Sequence, residues 1–144
     1  MPAQARGSGV STQYSRQLGD KRIRAVIADD IPDIQTIMIR ALEHDGFVHV
    51  VGTADNGVMA VELAETLAPD LVVLDVNMPE MTGLEAAQLI KQSSPDTKVL
   101  VISSDDDPEL ALCALACGAD GFVCKSNLMK DCKSHLKRMF LPVS

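Results

Sequence analysis

Hydrophobic residues along the chain alternate between short apolar runs and stretches with helical spacing. Ile23-Arg24-Ala25-Val26-Ile27-Ala28 is an apolar run closed by Asp29-Asp30, and it predicts a buried strand. Pro32 and Asp33 open a helix with apolar positions at Ile34, Ile37, Met38, Ala41 and Leu42, stopped by Gly46. His49-Val50-Val51-Gly52 predicts a second strand. Asn56-Gly57 leads into a helix carrying Val58, Val61, Leu63, Ala64 and Leu67, which ends before Pro69. Asp70 to Asp75 is nearly all apolar, as expected of a parallel strand covered on both faces. A third helix from Gly83 to about Lys91 precedes a fourth strand over Lys98–Ser103. Pro108 and Gly118 bracket a fourth helix, Gly121–Cys124 forms a fifth strand, and one last helix runs from about Asn127 to Met139. The last helix places Leu128, Cys132, Leu136 and Phe140 at intervals of four. Five strands alternating with five helices imply an α/β fold: a doubly wound, five-stranded parallel sheet with helices on both faces.

Residues 1–21 are polar and aperiodic, which predicts a disordered leader or linker before a domain spanning 22–140 and a short tail over 141–144. Within this sequence no residues remain for a helix-turn-helix reader, so direct contact with nucleic acid is not expected. Aromatic residues make up 3% of the chain and Trp is absent, so the core must be aliphatic. The net charge of −7 is unevenly spread. Residues 25–124 hold three basic and eighteen acidic residues, whereas the segments before and after are basic. An acidic centre disfavours nucleic acid and suits a cation. No run approaches the roughly 18 apolar residues of a membrane span, and no signal-like apolar stretch opens the chain. A cytoplasmic protein with free thiols is therefore expected. Cys113, Cys117, Cys132 and His135 could be drawn as a zinc set, but their spacing matches no strong zinc pattern. Small buried hydrophobes are the expected role of the cysteines.

In open α/β sheets, ligands bind at the carboxyl ends of the strands. Asp29 and Asp30 end the first strand, Asp75 the third, Ser103 the fourth and Lys125 the fifth. Singly, each has an ordinary explanation as a cap, a turn residue or a solvated charge. Jointly they describe a site. Carboxylates gathered in one pocket call for a cation, and oxygen donors of this kind suit Mg²⁺. A metal, an ammonium and a hydroxyl would together receive a phosphoryl group on an Asp carboxylate.

The same residues resemble a known family. Asp75-Val-Asn77-Met78-Pro79-Glu-Met81-Thr-Gly83 resembles the D-x-x-M-P-x-M-x-G signature of response-regulator receiver domains, and Asp29-Asp30 resembles the family's acidic pair. Gly118-Ala-Asp-Gly121-Phe-Val-Cys-Lys125 resembles its G-A-x-G-[FY]-x-x-K segment. The resemblance covers about residues 22–140. It implies a flavodoxin-like strand order of 2-1-3-4-5 and a phosphorelay signalling switch. Asp75 would be the phosphoacceptor, with Mg²⁺ held by Asp30 directly, by Asp29 through water, by Asp75 and by the carbonyl of Asn77. Lys125 would pair with phosphoryl oxygens, Ser103 would hydrogen-bond the phosphoryl group, and Phe122 would be the aromatic switch residue. The implied phosphodonor is a histidine kinase or a histidine phosphotransfer protein. The implied output surface is the fourth helix, fifth strand and fifth helix, serving a downstream protein target or a homodimer. Ser126 stands where the family often has Pro, as in receivers attached to LuxR-type DNA-binding domains.

Asn77 and Asp105 lie two residues beyond Asp75 and Ser103 and would tune the lifetime of the acyl phosphate; alternatively, Asp105-Asp106-Asp107 simply cap the fourth helix. The last helix carries Lys130, Lys133, Lys137 and Arg138 as a solvated face or a docking face for an acidic partner. The competing function is a Mg²⁺-dependent phosphohydrolase with an Asp nucleophile. In haloacid-dehalogenase-type hydrolases a second Asp follows two residues after the first; here that position is Asn77, a poor proton donor. A phosphotransfer role for His44, His49 or His135 would need a helical bundle, which the strands oppose.

Overall fold

The computed structural model describes residues 22–44 and 46–140. The expected leader over 1–21 and tail over 141–144 lie outside the described residues. The elements are β1 (Ile23–Ala28), α1 (Pro32–Glu43), β2 (Val48–Ala54), α2 (Gly57–Leu67), β3 (Leu71–Asp75), α3 (Gly83–Ser93), β4 (Lys98–Ser103), α4 (Pro108–Ala116), β5 (Gly121–Cys124), α5 (Lys125–Lys130) and α6 (Cys132–Phe140). The five strands form one sheet in the order β2-β1-β3-β4-β5, and every neighbouring pair is parallel.

The period-two alternation of strand side chains sorts the core into two layers. Val26 and Ala28 of β1, Val72 and Leu74 of β3 and Val99 and Val101 of β4 pack with Ala60, Ala64, Ala86, Ala87, Ile90 and Ala114 of the helices on one face. Ile23, Ala25, Ile27, Leu71, Val73, Leu100 and Ile102 pack on the other face with Met38, Leu42, Leu128, Cys132 and Leu136. Both faces are covered, which is why the central strands read as unbroken apolar runs.

Local chemistry starts the helices where the sequence proposes. Pro32 and Pro108 occupy the first turns of α1 and α4. The Asn56 side chain accepts from the Met59 amide, and Thr82 and Glu85 form a reciprocal capping box on α3. Gly118, with φ of +98°, adopts the left-handed turn just beyond α4.

Three expectations are corrected. The last helix is two helices, separated by Asp131 at φ −145° and ψ 57°. Asp is a weak residue inside a helix and a strong one at a helix start. Leu128, Cys132 and Leu136 are still buried in one layer, so the break leaves the four-residue stripe intact. Ile37 and Val58, apolar positions of the helical pattern, are exposed, and Ala60, outside that pattern, joins Ala64 on the buried face of α2. The cysteines are not uniformly buried: Cys132 is, Cys113 is exposed, and Cys117 and Cys124 lie between.

β2 also runs longer than its apolar residues suggest. A register shift opposite Ala25 and Val26 leaves Val51 as an extra residue in β2, and pairing resumes through Ala28 with Ala54. The result brings the ends of β1 and β2 level, where the Asp29 amide donates to the Ala54 carbonyl at 3.0 Å.

Candidate phosphoacceptor site

The chain passes from β1 outward to β2 and returns across β1 to β3, so the crevice above β1 and β3 is where the sheet changes direction. β1 delivers Asp29 and Asp30 to that edge and β3 delivers Asp75. Oxygen atoms of these three carboxylates lie within 4.8 Å of one another, the one such His, Cys, Asp or Glu group among the described residues. The zinc set drawn from Cys113, Cys117, Cys132 and His135 is therefore not assembled there.

Burial differs sharply across the cluster. Asp29 is 0% exposed and Asp75 4%, whereas Asp30 faces solvent. Asp29 Oδ1 accepts from the Ile31 amide at 2.9 Å, and Oδ2 accepts from Lys125 Nζ at 2.8 Å. The same ammonium lies 3.3 Å from Asp75 Oδ1. Lys125 thus bridges two buried carboxylates, and Asp30 completes the rim. Three carboxylates and one ammonium leave the pocket with surplus negative charge and oxygen donors alone, which fits a hard divalent cation.

Burial pushes the Asp75 carboxyl above its ordinary value of 3.8 and the Asp29 charge adds to the rise, outweighing Lys125 and the Asn77 backbone amide. For Lys125, burial opposes ionisation, but the hydrogen bond to Asp29 and the charges of Asp75 and Asp29 prevail and hold it above 10.5. The consequence for stability follows from proton linkage. Because the folded Asp75 carboxyl binds its proton more tightly than in the unfolded chain, it destabilises the fold as pH rises from 3.8 through the raised value. Metal-free Asp75→Asn is therefore expected to unfold at a higher urea midpoint than the parent at neutral pH. The gap should close as pH falls below the ordinary carboxylate range. A neutral-pH midpoint equal to or below the parent's contradicts the assignment of this cost.

Ser103 is buried one residue beyond Ile102, the register partner of Asp75, and its Oγ accepts from the Asp105 amide at 3.1 Å. An accepting hydroxyl keeps its own hydrogen available to another group. Phe122 is half-buried against the core layer that includes Val101. Asn77 faces solvent beside Asp75. Of the acidic run after β4, Asp107 caps α4, accepting from the Glu109 amide at 3.0 Å.

Two features escape the sequence pattern. A Cβ at Gly83 would fall on the backbone carbonyl of Asp75, so α3 starts in direct contact with the strand end that carries the carboxylate. Gln35 of α1 directs its side-chain amide at the corner where β1 and β2 finish, 2.6 Å from the Asp29 carbonyl, 3.2 Å from the Ala54 carbonyl and 2.9 Å from Asp55 Oδ1. A half-buried Gln on an amphipathic helix gives no periodic signal.

Comparison with known proteins is consistent with this geometry. The sequence model of the family described as "Response regulator receiver domain" matches residues 25–137. The "Probable transcriptional regulatory protein NarL" of Mycobacterium tuberculosis is 39% identical over 107 residues, covering 74% of this chain and 50% of the relative. The nitrate/nitrite response regulator protein NarL of Escherichia coli is 38% identical over 106 residues, 74% of this chain and 49% of that one. The chain therefore spans about half the length of these curated relatives. The solved signal receiver domain of the NarL response regulator from Mycobacterium tuberculosis superposes with a TM-score of 0.78 at 36% identity, covering 85% of this chain and 99% of that domain.

Proposed function

This chain belongs to the response regulator receiver domains of two-component systems, and on that premise we propose that it is a phosphoacceptor switch whose acceptor is Asp75. The observation that carries the reading is the ammonium of Lys125 shared between Asp29 and Asp75 beside the exposed carboxylate of Asp30. A histidine kinase or histidine phosphotransfer protein supplies the phosphoryl group. A carboxylate oxygen of Asp75 attacks phosphorus as the bond from phosphorus to the donor imidazole nitrogen breaks. The electron pair stays on that nitrogen, and an acyl phosphate forms on Asp75. Lys125 neutralises the phosphoryl oxygens, and the Ser103 hydroxyl donates to them. Asp29, Asp30, Asp75 and the Asn77 carbonyl would hold Mg²⁺, which when bound supplies further neutralisation of phosphoryl charge.

Recruitment of Ser103 withdraws it from the Asp105 amide and gives Phe122 room to turn inward. The readout surface is α4, β5 and the α5–α6 pair, where Leu112 and Leu115 are 68% and 53% exposed and Lys130, Lys133, Lys137 and Arg138 face outward. It serves a downstream protein target or a second copy of this chain. The chain itself acts as a switch in the cytoplasm rather than as an enzyme with turnover, and no described helix is long and apolar enough to cross a membrane. Incubation with acetyl phosphate and Mg²⁺ is expected to add one phosphoryl group, read by intact-mass spectrometry, and chelation of the metal is expected to prevent it. A protein that takes up none under those conditions is not this switch.

A further inference from the structure

We infer that Gln35 is a positioning residue for the acidic pair, fixing the direction in which Asp30 is presented to the cation. The inference rests on the metal-binding reading above and adds a residue to it. All three partners of the Gln35 amide nitrogen are oxygen acceptors, so chemistry alone settles which end of the carboxamide faces them.

The shortest of the three bonds, at 2.6 Å, is to the Asp29 carbonyl. That oxygen belongs to the planar peptide joining Asp29 to Asp30. Every other polar atom of Asp29 is already held: its amide by the Ala54 carbonyl, Oδ1 by the Ile31 amide and Oδ2 by Lys125. The Gln35 amide holds the one remaining polar atom of Asp29, the carbonyl of that peptide plane. Asp30 follows directly from that plane and is itself solvent-exposed, without the burial that immobilises Asp29. Its carboxylate nevertheless sits within reach of Asp29 and Asp75. The bond from Gln35 to Asp55 also ties the corner to the loop after β2, beyond the cluster. Partners that orient metal ligands from behind typically contribute a factor of about 10 to 100 in metal affinity.

The test is Mg²⁺ titration by calorimetry of the parent and of Gln35→Met, which keeps length and removes the donors without adding charge. The dissociation constant is expected to rise about tenfold, while the rate of acetyl-phosphate labelling at saturating Mg²⁺ stays within about twofold of the parent, since Asp75, Lys125 and Ser103 are untouched. Gln35→Asn, which keeps the amide but is one methylene too short, is expected to behave the same way and replaces Gln35→Met if that variant does not fold. Parent-like affinity in a folded variant overturns the inference and leaves the metal site standing. Loss of the fold in both variants overturns it too, because the amide would then be holding the sheet together. A parent protein that binds no Mg²⁺ fails at the underlying reading instead.

Discussion

Asp75→Asn is expected to remove phosphoryl labelling by acetyl phosphate altogether, a loss of at least about 100-fold set by the background of the assay. The substitution replaces a carboxylate with an isosteric carboxamide whose oxygen is a far weaker nucleophile. The pocket otherwise persists, because Lys125 keeps its 2.8 Å bond to Asp29. Urea denaturation separates this loss from misfolding, because relief of the buried Asp75 charge favours a metal-free variant at least as stable as the parent. The result also separates this reading from a phosphotransfer role: a phosphoryl group on His44, His49 or His135 would survive in Asp75→Asn. Label that persists in the variant sinks the assignment of Asp75.

Gly83→Ala is expected to disturb both stability and chemistry. The added methyl group would occupy the space of the Asp75 backbone carbonyl, and neither that atom nor the α3 backbone can rotate away as a side chain would. Overpacking of this kind costs about 1–3 kcal/mol, and a collision between two backbones belongs at the upper end. The strand end must shift, and a displacement of about 1 Å at a reacting group can cost on the order of 100-fold in rate. Urea denaturation and the labelling rate should therefore fall together. Gly46→Ala is the control: its φ of +78° makes Ala unfavourable there, but nothing lies within 4 Å of the new methyl group. It should lose stability without slowing labelling. Gly83→Ala labelling at the parent rate would show that the strand end absorbs the collision without moving Asp75.

The strands were legible where their apolar runs were continuous. The fourth and fifth strands begin and end where the apolar runs do, at Lys98–Ser103 and Gly121–Cys124. β2 was read short because Thr53 and Ala54 carry little hydrophobic signal, although the ladder to β1 continues through them. Helix faces were less legible. Large residues dominate a hydrophobic pattern, yet the buried positions of α2 are Gly57, Ala60 and Ala64, while Val58 points outward. Close packing on a sheet selects small side chains there, and pattern alone cannot distinguish them from plain helix formers.

The strand-end carboxylates could be singled out because their position depends only on which strand they finish. Gln35 could not, because its role comes from three acceptors contributed by other elements. Gly83 was visible as part of the motif around Asp75, but its contact with the Asp75 carbonyl appears only in three dimensions.

Lys125 is the first residue of α5, which follows β5 with no intervening loop. Any force that draws its ammonium deeper into the pocket is applied at the head of a helix only six residues long. The joint at Asp131 ends that lever before Lys133, Lys137 and Arg138. A tug on the ammonium is therefore applied to the short helix that buries Leu128, which shares its core layer with Cys132 and Leu136 of α6, the helix carrying the rest of the cationic ridge.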